Sequence, residues 1–145
     1  KISVLIISGL IMIGIFIFEP FRSEPPTPNV TIGDVEIPTT QGSYCWEGLL
    51  SAQCVDKAYT SLFDMASTHN PTVVSPNEKI KIEFKKKPIA GTMKVKQWVD
   101  EDYIQKVEVK NGSIVVPKEK GVYVYSVVSD WKQGDGNYAF SVEVK

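Results

Sequence analysis

Histidine is almost missing from this chain: His69 is the single one among 145 residues. Cysteine is nearly as scarce, with Cys45 and Cys54 alone. Zinc normally takes several His or Cys ligands, so a conventional zinc site is excluded. A Ser-His-Asp arrangement would have to use His69. That residue sits in Ser67-Thr68-His69-Asn70-Pro71, a turn-forming run that reads as solvated. A Gly-rich phosphate loop is also missing, and Gly134-Asp135-Gly136 reads as a turn. Charge of one sign is not in excess either. The formal net charge is −1, so no global field steers the chain toward nucleic acid. Asp100-Glu101-Asp102 gathers three acids, but no further spaced ligands accompany them, and they read as a solvated loop rather than a calcium site. No metal or cofactor is expected, and the chain does not read as an enzyme.

What the sequence does have is an uncharged run of seventeen residues, Ile2 to Phe18, rich in Ile, Leu and Phe. As a helix it spans roughly 25 Å, the short end of what crosses a bilayer. Lys1 precedes it, and positive charge stays cytoplasmic. The expectation is a single-pass anchor in the cell membrane through Ile2 to Phe18, with the C-terminal domain extracellular. A cleaved signal is the alternative. Phe18-Glu19-Pro20-Phe21-Arg22-Ser23 fits a small-residue cleavage site poorly. Residues 1–19 thus read as transmembrane anchor or uncleaved signal. Residues 20–28, with Glu24-Pro25-Pro26-Thr27-Pro28, read as a stiff Pro-rich spacer. Residues 29–145 suit one compact domain.

Eight residues separate Cys45 from Cys54, which is not redox Cys-x-x-Cys spacing. An even pair outside the membrane predicts a disulfide. Two free thiols holding metal or heme would lack partners. Trp46 beside the pair reads as a core residue packed on the bridge, with an exposed aromatic platform as the alternative.

The rest of the domain reads as strands. Ile80, Ile82 and Phe84 alternate with Lys79, Lys81 and Glu83, a half-buried strand with one wet face. Met93, Val95 and Gln97 alternate with Lys94 and Lys96. Asn111-Gly112 predicts a hairpin between Tyr103–Val109 and Ile114–Val116. Gly121 to Val128 is apolar on both faces, as a central strand should be, and Tyr138 to Val144 alternates as the last strand. Strands at this spacing predict an all-β sandwich. One stretch departs: Asp56 to Ser67 carries Ala58, Tyr59, Leu62, Phe63 and Met65 at nearly helical spacing, with Asp56 as its cap. Ser43 to Asn70 therefore reads as a helical, disulfide-closed insertion laid over one end of the sandwich.

Pro117-x-x-x-Gly121-x-Tyr123-x-Tyr125 resembles the segment leading into the penultimate strand of immunoglobulin-like domains, where a tyrosine bonds back to the preceding turn. A wider likeness runs through Gly42-Ser43-Tyr44-Cys45-Trp46, Cys54, Val74-Ser75-Pro76, Pro117 to Tyr123, Trp131 and Tyr138-Ala139-Phe140. These residues are similar to a group of small surface proteins and lipoproteins of Gram-positive bacteria. The resemblance implies an envelope location and an immunoglobulin-like β-sandwich. It carries no catalytic residues across. The chain departs from the lipoprotein members in having no cysteine directly after the apolar run.

Lysines raise the remaining question. Lys79 and Lys81 point from the wet face of one expected strand, and Lys94 and Lys96 from the next. Were those strands neighbours, four like charges would share a face, which costs stability unless an anion answers it. Teichoic acid phosphates and lipid headgroups are the anions available outside a Gram-positive membrane. Guarding an edge strand against aggregation is the plainer role. The reading is a binding or scaffolding domain at the envelope, with an anionic polymer or a surface protein as partner. A peptidase inhibitor or accessory subunit of a surface enzyme is the alternative, and an enzyme with an unrecognised site the second. A continuous lysine face would favour the polymer, an ordered protruding loop between Ser43 and Asn70 the inhibitor, and a groove with converging polar groups the enzyme.

Overall fold

A computed structural model describes residues 2–18, 24–100 and 102–145. The N-terminal apolar run forms helix α1, Ile2–Phe18. It rises about 25 Å, short of the ~30 Å of a hydrocarbon core. Among the described residues no helix is long and apolar enough to cross a membrane, so the expected transmembrane span is not shown. The large apolar side chains of α1 from Ile2 to Ile13 are nonetheless exposed.

Among the described residues twelve strands follow, in two sheets. They are β1 Pro28–Ile32, β2 Val35–Glu36, β3 Thr40–Gln41, β4 Tyr44–Glu47, β5 Ala52–Val55, β6 Thr72–Val74, β7 Lys79–Phe84, β8 Lys94–Trp98, β9 Ile104–Val107, β10 Ser113–Val115, β11 Gly121–Trp131 and β12 Gly134–Val144. The smaller sheet runs β10-β7-β1-β2 and the larger β5-β4-β12-β11-β8-β9. Three short segments share the far side of β12: β6 in parallel, then β3, then β4. Val30, Ile80, Ile82 and Ile114 of one sheet meet Val95, Tyr125, Val127, Phe140 and Val142 of the other in one buried core. Strand alternation places these residues inward and their charged neighbours outward.

β11 is apolar on both faces because both are covered. Tyr123, Tyr125 and Val127 face the core. Val124 faces outward and, with Ala139, lies under a short helix α2, Leu62–Ala66, through Met65 and Ala66. The expected helix is therefore present but shorter. Its cap is Ser61 rather than Asp56: Ser61 accepts from the Asp64 amide, while Asp64 accepts from the amide and hydroxyl of Thr60. The reciprocal side-chain bonds satisfy amides that the first turn leaves free. The insertion lies differently from expectation too, since β4 and β5 extend the larger sheet and α2 covers its outer face.

Asn111 and Gly112 form the expected turn, both with positive φ, bridged by Lys110 and Ser113. The hairpin does not continue. β10 pairs with β7 in one sheet, whereas β9 pairs with β8 in the other. The spacer differs as well. Pro25, Pro26 and Pro28 are buried, and the Tyr138 hydroxyl donates to the Pro26 carbonyl at 2.6 Å. The chain from Glu24 onward is thus packed on the domain, and residues 19–23 lie outside the described residues.

Candidate functional site

The two ends of the sandwich differ in chemistry. One is the end where the chain enters. β1 begins there, with Pro28 opposite Phe84 at the end of β7. Phe84 packs on Trp131 at 5.0 Å and on Tyr138 at 5.8 Å, and Trp46 meets Trp131 edge-on at 5.8 Å. The Trp131 indole donates to the Lys86 carbonyl, so the β7–β8 loop is tied to this aromatic cluster. Ile89 and Thr92 hold the same loop to Asp130.

The β4–β5 hairpin projects from this end. β4 runs antiparallel to β12 and passes its start, where the Glu47 amide donates to Gln133 in the β11–β12 turn. Gly134 makes the approach possible. Its φ is +150°, and a Cβ there would meet the Cys45 carbonyl oxygen at 2.0 Å. Cys45 and Cys54 pair directly across the hairpin and form the expected disulfide. Trp46 is in the core, as read, but the bridge is not beneath it. Alternation turns Tyr44 and Trp46 inward and Cys45 and Glu47 outward, so the disulfide lies on the opposite, exposed face. A groove of about 410 Å³ between Gln53, Cys54, Trp131 and Lys132 runs beside it. The hairpin closes through Gly48 N–H to the Ser51 carbonyl, leaving Leu49 66% and Leu50 84% exposed at its tip. Sequence reasoning missed these two. Their signal is an apolar pair enclosed between cysteines in a loop too short to bury it.

At the other end lies a groove of about 560 Å³ between the edges of the two sheets. Val99, Tyr103, Val107, Val115 and Pro117 supply apolar walls, with Gln97, Gln105, Lys106 and Glu108 among the polar groups. Tyr103 and Val115 are more than half exposed. Beneath it the Tyr125 hydroxyl donates to Gln97 Oε1, and the Tyr123 hydroxyl donates to the Glu119 carbonyl at 2.9 Å. Burial, then the neighbouring Glu119 charge, raises the Tyr123 phenol above its usual range; burial, then Tyr123, raises Tyr125 further. Both stay protonated donors at neutral pH.

The lysines are not brought together. Lys79 and Lys81 project from β7 in the smaller sheet, where Lys81 pairs with Glu83 at 2.9 Å. Lys94 and Lys96 project from β8 in the larger. The premise of neighbouring strands fails, and the pairs face opposite sides of the molecule. His69 is exposed in the turn after α2. Asp100 accepts from the amides of Asp102 and Tyr103 and so stabilises its own loop; Glu101 lies outside the described residues. Among the described residues no group of His, Cys, Asp and Glu is arranged to hold a metal ion. No family model, curated protein or solved structure matches this chain.

Proposed function

We propose that this chain is a membrane-anchored extracellular immunoglobulin-like domain with a binding or scaffolding role at the cell envelope. The observation that carries the reading is the opposition of the two ends. The apolar helix joins the sandwich at one end, and the open apolar groove of Tyr103 and Val115 lies at the other. A protein held this way presents its groove outward. A helix a few ångströms shorter than the hydrocarbon core still inserts, because the bilayer thins around it and flanking charges such as Lys1 reach the interface. The immunoglobulin-like reading is supported by the Tyr123–Glu119 bond, which ties the start of the penultimate strand to the preceding turn. Binding through the four lysines has no support in the geometry.

The test is fractionation of the full chain expressed in a Gram-positive host. The expected result is retention in membranes through high-salt and alkaline washes, with the sandwich cut by protease added outside intact cells. Extraction by alkali, or protection of the sandwich in intact cells, overturns the reading.

A second reading, an inhibitor or accessory subunit of a surface enzyme, is favoured by one feature. The β4–β5 hairpin is an ordered, crosslinked loop that presents Leu49 and Leu50 beyond the sheet. A preorganised apolar tip of that kind binds a cleft with little ordering cost.

A further inference from the structure

We infer that the chain-entry end of the sandwich lies on the bilayer itself, with Leu49 and Leu50 of the hairpin tip inserted at the lipid interface. The inference rests on the reading of α1 as a membrane anchor and deepens it.

Three features converge on this end. The first is the tether. Glu24 to Pro28 is packed here, held by Tyr138 and Phe84, so residues 19–23 alone separate it from Phe18. Even fully extended, that link reaches only about 20 Å. The second is the hairpin. β4 runs past the start of β12, so the tip extends beyond the β11–β12 turn on this same side. The disulfide crosslinks the two strands and the Gly48–Ser51 bond closes the tip with both leucines exposed, and exposed adjacent leucines are costly in water. The third is Ile89, 46% exposed on the β7–β8 loop, which Asp130 and Trp131 tie to this end.

Insertion of two leucines is too weak to hold a free protein on a membrane. It suffices here because the tether makes contact intramolecular, at high effective concentration. Charge does not drive it. Lys85, Lys86, Lys87 and Lys132 at this end are matched by Glu24, Glu47, Asp130 and Asp135. The inserted surface is therefore apolar, and its contact is independent of lipid charge and of salt. A protein cleft is the competing occupant, but a tip facing its own membrane reaches lipid first.

The experiment uses the full chain reconstituted into vesicles of phosphatidylcholine, alone or mixed with phosphatidylglycerol. Flotation and alkaline washing read the anchor. Leu50→Trp reads the tip. Trp46 and Trp131 are buried, and the parent chain supplies their background together with that of Trp98. The expected result is a blue shift of the added tryptophan and loss of its emission with lipids brominated high on the acyl chain. Both effects should be equal in the two lipid mixtures and unchanged at high salt. Leu49→Asp in the same chain should abolish both effects while flotation persists. A chain that floats, but whose residue-50 tryptophan is quenched by aqueous acrylamide and not by brominated lipid, overturns the inference and turns the tip toward a protein. A requirement for acidic lipid also overturns it as argued. A chain that does not float removes the anchor and the inference with it.

Discussion

Replacing both cysteines by serine tests how the hairpin is held. Cys45 and Cys54 are separated by nine positions, and closing a loop of that size removes about 2.5 kcal/mol of unfolded-state entropy. Both residues are exposed, so serine buries no hydroxyl and opens no cavity. β4 and β5 form one edge of the larger sheet, and most of the core lies between other strands. The double variant should therefore fold and melt roughly 10 °C lower, given a few degrees per kcal/mol for a domain of this size. Thermal unfolding of the full chain in detergent, followed by near-ultraviolet circular dichroism, reads the shift. The oxidised parent should melt highest, and the reduced parent and the variant should coincide. An unchanged melting temperature would mean that pairing alone fixes the hairpin in folded and unfolded chains alike, and would refute the entropy argument. Loss of all cooperative melting would refute the claim that the core stands without the bridge.

Gly134→Ala should cost at least about 2 kcal/mol, since it adds a methyl against the Cys45 carbonyl at a φ of +150°; the Glu47 amide should then exchange early in a hydrogen-exchange measurement. Tyr138→Phe should cost about 1–2 kcal/mol, because it leaves the buried Pro26 carbonyl without its donor, and the loss should read as a lower denaturation midpoint. Alkali should destabilise the domain from about pH 10 upward. Burial, foremost, raises the Tyr44, Tyr123 and Tyr125 phenols, so the unfolded chain ionises first and binds fewer protons there, and stability falls as pH rises. Melting scans across that range should show a flat profile below about pH 9, and Tyr125→Phe should make the fall shallower.

Which residues face inward was legible, and which strands lie side by side was not. Ile80, Ile82 and Phe84 alternate because one face of β7 is buried, and that pattern is local. Nothing local says that β7 and β8, consecutive in the chain, belong to different sheets. The lysine face failed for that reason. Asn111-Gly112 shows the same limit: its backbone preference makes the turn, but the residues beyond it pair elsewhere. The disulfide was readable from count and spacing, while its exposed side depends on Trp46 taking the inward position beside it. Pro25 and Pro26 read as spacer because their burial rests on Tyr138, 112 residues away from Pro26 along the chain.

The two ends, taken together, constrain what the groove can bind. β11 runs from the groove, which it lines through Tyr123, to Trp131 at the chain-entry end, a length of about 26 Å at ~3.3 Å per residue. With the hairpin tip at the lipid interface, the groove stands roughly that far above the bilayer. Lipid headgroups of the same membrane are then out of its reach. On the proposed reading, a partner of the groove would be a component of the envelope lying at that height, or a protein standing beside this one. The groove walls are largely apolar and its Lys106 and Glu108 carry opposite charges, so a highly charged polymer gains little there.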